Sequence, residues 1–191
     1  ATLARTGLVL VMGVPGSGKT SLSKGILSRV WCVYLDNNFM ADAFFPDTRV
    51  TQDYVALRPR LYDVLYRVTR ENLLVGNSVL LDVPHVTHVQ REEWRTYVRE
   101  LADLAGARLV VMRCRCSLET LRRRLEARGE QRDRWKLDNW EEFLSHEPMD
   151  VPIPFRHFEI DTEHLLSEQV ERAVAYIRQE AATAHHVAPS E

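Results

Sequence analysis

Long apolar runs are scarce in this chain. The longest, residues 7–12, is far shorter than a bilayer span, and no signal-peptide pattern precedes it. A cytoplasmic setting without membrane contact is therefore expected. Cysteine is sparse too: Cys32, Cys114 and Cys116 lack zinc-site spacing and read as reduced thiols packed as small hydrophobes. A formal charge of −2 gives no pull toward nucleic acid. Only three basic residues are lysine (Lys19, Lys24, Lys136), the rest of the 25 being arginine, so arginine abundance alone does not mark a phosphate site. Repeats and low-complexity segments are absent. What remains is the composition of one ordinary globular domain, 191 residues long and 45% apolar. Glycine is also limited, to eight residues, yet three of them crowd into positions 13–18.

Those glycines lie in Gly13-Val14-Pro15-Gly16-Ser17-Gly18-Lys19-Thr20, a full match to G-x-x-x-x-G-K-[ST]. The apolar run 7–12 precedes it as a strand, and Lys19–Arg29 follows as a helix. Glycines let successive N–H groups converge on one anion, and the helix adds the positive end of its dipole. The motif thus predicts a nucleoside triphosphate held by Gly13, Pro15, Gly16, Ser17, Gly18, Lys19, Thr20 and Ser21. Lys19 would reach the β- and γ-phosphates, and the Thr20 hydroxyl would hold Mg²⁺.

Further strands are predicted at Trp31–Leu35, Ser78–Asp82, Arg108–Arg113 and Phe155–Ile160. Residues 37–47 show no clean periodicity. Helices are expected from Asp53 or Pro59 to Val75, over Val89–Leu104 with Trp94, Val98, Leu101 and Leu104 inward, and from Ser117 to Gly129. A short helix over Leu137–His146 follows. Thr162 would cap a last helix carrying Leu166, Val170, Ala173, Val174 and Ile177 on one face. The alternation implies an α/β fold, a five-stranded parallel sheet with helices on both faces and ligands at the carboxyl ends of the strands. Asp36 and Asp82 each end a strand there. Either alone fits a solvated turn; beside a phosphate loop, both fit metal and proton chemistry.

The loop, Leu35-Asp36, Val79-Leu80-Leu81-Asp82, the segment Leu118–Arg134 and Ile160-Asp161-Thr162 together resemble the small P-loop kinase superfamily. That group holds adenylylsulfate, gluconate and polynucleotide kinases, the zeta toxins and chloramphenicol phosphotransferase. Within it the chain is most similar to chloramphenicol phosphotransferase, through Leu80-Leu81-Asp82-Val83, Gln90–Arg95, Arg113-Cys114 and Ala127-Arg128-Gly129 followed by Arg132. The resemblance implies a P-loop nucleoside triphosphate hydrolase fold of kinase type over residues 1–183. It implies an acceptor-binding region at 37–75, a lid at 124–147 and a flexible tail at 184–191. The family's strand order implies that Asp82 lies beside the P-loop strand, near the metal, and Asp36 one strand further out as general base.

Arg128 and Arg132 would reach the transferring phosphoryl group from the lid, Arg124 would stack on adenine, and the Pro152–Thr162 stretch would line the adenine site. Candidate contacts with the acceptor are Asn38, Phe39, Arg60, His85 and Arg134, and Arg58 with Arg60 could bind an anionic group. The expected activity is transfer of the γ-phosphoryl group of ATP, with Mg²⁺, to a hydroxyl of a small molecule, antibiotics and other natural products among them. A nucleoside or 5′-hydroxyl polynucleotide kinase, a zeta-like sugar-nucleotide kinase and a nucleotide-gated switch are the alternatives. The basic-aromatic groove a polynucleotide needs is not evident.

Overall fold

The computed structural model describes residues 2–183; the expected tail, 184–191, lies outside the described residues. Five strands form one sheet: β1 (Gly7–Met12), β2 (Val33–Asp36), β3 (Val79–Asp82), β4 (Arg108–Arg115) and β5 (Phe158–Asp161), in the order β2-β3-β1-β4-β5. Every pairing is parallel. Helices α1 (Lys19–Leu27), α2 (Asn37–Phe44), α3 (Gln52–Leu74), α4 (Glu92–Leu104), α5 (Leu118–Arg128), α6 (Arg134–Asp138), α7 (Trp140–His146) and α8 (Leu166–Ala182) complete the chain.

β1 is buried throughout because it is central and covered on both faces. Its side chains alternate. Leu8, Leu10 and Met12 join Leu65, Val98 and Leu101 from α3 and α4, while Val9 and Val11 join Leu22, Ile26, Ala173, Val174 and Ile177 from α1 and α8. Truncating a fully buried leucine such as Leu10 to alanine costs about 2–5 kcal/mol. This two-faced packing holds the strand ends, and the loops after them, in fixed positions.

Several boundaries differ from the sequence reading, each for a local reason. Residues 37–44 are helical because the Asp36 carboxylate, at the end of β2, accepts the Asn38 N–H at 2.8 Å and caps α2. Of the two starts expected for α3, the one near Asp53 holds: the helix begins at Gln52, capped by Thr51, and carries Pro59 inside it. The lost hydrogen bond costs about 3 kcal/mol, outweighed by burial of Leu61, Tyr62, Leu65, Tyr66 and Leu73 on one face. Val89 falls in a 3-10 turn, and α4 begins only at Glu92. β4 extends to Arg115, and β5 begins at Phe158 rather than Phe155. Leu104 and Leu166 are exposed, not inward. Thr162 does not cap the last helix, which starts at Leu166 with no side-chain cap. The Thr162 hydroxyl has another partner, 2.8 Å away: the Ser17 carbonyl in the loop after β1.

Candidate functional site

The β1–α1 loop is shaped for an anion. Gly13, Gly16 and Gly18 all have positive φ, and at Gly13 a Cβ would come within 2.5 Å of Ser17 Oγ and 2.7 Å of the Cys114 carbonyl oxygen. No larger residue fits there without moving backbone. The Gly13 N–H donates to Pro84 O at 3.2 Å, tying the loop to the segment after β3. Lys19 is buried, and its ammonium donates to Val14 O at 3.0 Å. Thr20 and Ser21, by contrast, are exposed at the start of α1, and Ser17 Oγ is a buried hydroxyl without a partner among the described residues. A cradle of amides, one ammonium and an unengaged hydroxyl fits a phosphate chain.

Beside it stand the two acids. Register pairs Asp36 directly with Asp82 and Asp82 with Val11, so the acids occupy adjacent strands about 4.8 Å apart. Both are buried. Burial, then the neighbouring Asp82, pushes the Asp36 carboxyl above its ordinary value; the Asn38 N–H and Lys19 oppose the shift. Tyr34 projects from β2 on the same face as Asp36. Its hydroxyl donates to Asp82 Oδ2 at 2.9 Å and lies 3.4 Å from Asp36 Oδ2. Burial and both carboxylates push the phenol far above its usual range, while the Thr20 hydroxyl pulls the other way. Thr20 and Asp82 suit a hard cation that keeps waters and phosphate oxygens as its other ligands, as Mg²⁺ does. Among the described residues no group of three or more His, Cys, Asp or Glu forms a separate cage.

The wall facing the acids is built by α2, α3 and the loop after β3. His85 is the one non-glycine residue with positive φ among those described, 52°, and it is almost wholly buried. Its Nε2 lies 2.6 Å from the Tyr66 hydroxyl, which receives the Trp94 indole N–H at 2.7 Å. Burial, then His88, Lys19 and Arg58, hold the ring well below its ordinary pKa, so it is neutral. Its Nδ1 has no partner among the described residues, and neither do Asn37 Oδ1 and Glu147 Oε2.

Of the two arginines flanking Pro59 in α3, Arg60 points to solvent. Arg58, two residues earlier, lies over the Tyr62 ring at 5.7 Å and is electrostatically coupled to Glu147. Arg58, not Arg60, therefore faces the site. Phe39 is exposed, its ring edge-to-face with Tyr34 at 5.4 Å, and Asn38 is half-buried. Of the other ring residues in this region, Tyr54 and Tyr62 are core and Phe44 is exposed.

The arginine-rich segment over the site is already paired. Arg128 binds the buried Asp133, which also holds Lys136. Arg132 binds both oxygens of Asp42 on α2, and Arg49 binds the same carboxylate. Arg124 donates to the Thr162 hydroxyl at 2.8 Å and to the Thr162 carbonyl at 2.6 Å, beside the loop after β5. Arg134 is exposed at the start of α6.

The structure thus gathers Lys19, Thr20, Asp36, Asp82 and His85 around one strand edge, sets Arg132 against α2, and leaves Arg60 and Arg134 outside. Sequence reasoning missed Tyr34, Asn37, Asp42 and Glu147, and it named Arg58 only beside Arg60. Tyr34 was detectable, since a residue two before Asp36 on a strand shares its face. Asp42 and Glu147 carried no local signal, their partners being distant in sequence.

An AAA domain family matches residues 8–149. Comparison with curated proteins finds no match. Among solved structures, a candidate kinase of Chloroflexus aurantiacus is 21% identical, with a TM-score of 0.70, covering 92% of this chain and 98% of its own. A sugar kinase of a Janibacter species is 19% identical, TM-score 0.67, with 94% and 99% covered. The APS kinase of Mycobacterium tuberculosis, solved with AMPPNP and APS, is 17% identical, TM-score 0.57, with 90% and 98% covered. At such identities the likeness establishes the fold, that of the P-loop nucleoside triphosphate hydrolases.

Proposed function

The chain belongs to this AAA domain family, and from that premise we propose that it is an ATP-dependent kinase phosphorylating a hydroxyl of a small molecule. The observation that carries the reading is the placement of the glycine loop after β1, with Lys19 at the start of α1, beside Asp82 and Asp36 at the ends of β3 and β2. Phosphoryl transfer needs little covalent chemistry from a protein; positioning and charge stabilisation do most of it. The loop amides and Lys19 hold the β- and γ-phosphates. Thr20 and Asp82 would hold Mg²⁺, which when bound offsets charge on the phosphate oxygens. Asp36 accepts the proton of the acceptor hydroxyl, and its raised proton affinity suits that task.

We read residues 1–183 as one kinase domain, with the acceptor between 37 and 75 and the lid at 124–147. Arg128 and Arg132 are the arginines assigned to the phosphoryl group on closure, and Arg124 the one assigned to adenine. Asn37, Phe39, Arg58, His85 and Glu147 are the surfaces an acceptor would meet. The solved kinases of the same fold act on sugars or APS by their descriptions, and the resemblance to chloramphenicol phosphotransferase adds antibiotics to the acceptor classes. Among the described residues no helix is long and apolar enough to cross a membrane, and we assign the reaction to the cytoplasm.

The test is magnesium-dependent ADP release with a panel of hydroxylated antibiotics, nucleosides and sugars. One class should stimulate turnover, and Asp36→Asn should lower that turnover at least about 100-fold, the scale of base catalysis. Full rate in Asp36→Asn refutes the base assignment. Binding of oligonucleotides that weakens steeply with salt would favour the polynucleotide alternative. Growth arrest on expression would favour the zeta-like one.

A further inference from the structure

Tyr34 stands where functional side chains from separate elements meet, and the kinase reading gives it no part. Its hydroxyl faces Asp82 Oδ2 at 2.9 Å and Asp36 Oδ2 at 3.4 Å, and its ring is braced edge-to-face by Phe39. A phenol has one proton to give. At these separations it goes to Asp82, the approach to Asp36 lying at the outer limit of hydrogen bonding.

The consequence is a division between two acids that strand register forces side by side. Each carboxylate has two oxygens. In Asp36, Oδ1 accepts the Asn38 N–H, so Oδ2 is the oxygen left for an incoming hydroxyl. In Asp82, Oδ2 is held by Tyr34, whose hydroxyl also meets that of Thr20, so Oδ1 is the oxygen left for a cation or its water. A phenylalanine at position 34 could keep the ring packing but would release Asp82 to rotate. Two neighbouring carboxylates would then be interchangeable.

Resting on the kinase reading, we propose that Tyr34 is a positioning residue: it turns Asp82 toward the cation side and leaves Asp36 to the acceptor. The contact is an outer hydrogen bond to a metal-side carboxylate, and loss of such partners typically costs 10–100-fold in metal affinity or activity.

The experiment needs no acceptor. ADP is titrated calorimetrically into wild type and Tyr34→Phe across a series of MgCl₂ concentrations. The Mg²⁺ concentration giving half the metal-dependent gain in ADP affinity should rise about 10-fold in the variant, with metal-free ADP binding unchanged. In an Asp82→Asn background the same change should add nothing, because both substitutions act through one contact. An unmoved Mg²⁺ dependence overturns the proposal. So does an equal loss of metal-free binding, which would mark Tyr34 as mere packing, or a full additional loss in Asp82→Asn. Should wild type not bind ADP with or without Mg²⁺, the failure lies instead with the kinase reading.

Discussion

The floor of the site and its roof are built on opposite principles. The floor is ready-made: β1 and β3, buried throughout, and the half-buried edge strand β2 lead to a glycine loop, a buried lysine and two buried acids. The roof, from α5 to α7, holds the two arginines assigned to the phosphoryl group already spent on protein acids. Arg128 is bound to Asp133 and Arg132 to Asp42. On the kinase reading a nucleotide would need little from the floor beyond release of Lys19 from the Val14 carbonyl, whereas the roof would contribute charge only by exchanging one anion for another. Exchange of that kind is how a closing element can be made to wait for both substrates, which limits hydrolysis by water.

The sharpest way to break the contrast is to cut the Arg132–Asp42 pair from each side. Arg132→Ala should lower acceptor-dependent turnover by about 10²–10³-fold, the scale of losing one charge-stabilising donor. Asp42→Asn should act in the opposite direction on the side reaction. The arginine is released, and acceptor-independent ATP hydrolysis rises severalfold. Steady-state ADP release with and without acceptor distinguishes the two. Equal loss in both variants would mean that the pair only holds the roof in place.

A middle-sized effect lies in pH. The folded protein holds the Asp36 proton more tightly than the ordinary carboxyl at 3.8 does, through burial and Asp82. The acidic limb of the kcat profile should therefore inflect above 3.8, activity being lost as pH falls through the raised value. The same shift works against folding as pH rises through that window, since the native state then binds more protons than the unfolded chain. Asp36→Asn should remove the limb and flatten that part of the stability profile. An inflection at or below 3.8 contradicts the assignment.

The smallest effect tests the floor's support. Thr162 bonds Ser17 O and Arg124, and a Cβ at Gly18 would sit 3.0 Å from it. Thr162→Val removes the hydrogen bonds while keeping the shape, and should cost about 1 kcal/mol. For a chain of this length that lowers Tm by about 2–4 °C, by calorimetry. A larger fall in ADP affinity than in stability would show that the buttress shapes the loop itself.

The floor was largely legible in the sequence because its signals are local. An apolar run meeting the glycine motif, and two further runs stopping on aspartate, needed no tertiary information, although the order of the strands came from a family resemblance. The roof was not legible. A charged stretch such as Arg124–Lys136 reads alike whether its partners are solvent, phosphate or acids, and Asp42 lies 90 positions from Arg132. The α2 helix was hidden for another reason. Its first turn depends on the side chain of the aspartate that ends β2 rather than on any apolar period. Helical phase separates Arg58 from Arg60: two residues apart on α3, they lie on nearly opposite faces, and the sequence alone left both open.

One bond carries a wider meaning. Asp36 secures α2 by gripping a main-chain amide, that of Asn38, at the point where β2 turns into the helix. A main-chain grip of this kind does not depend on which side chains follow, so an exposed position of α2 such as Phe44 can change while the Asp36 carboxylate keeps its bearing. Descendants of this chain could take up new acceptors by drift along a single helical face, their chemistry left intact.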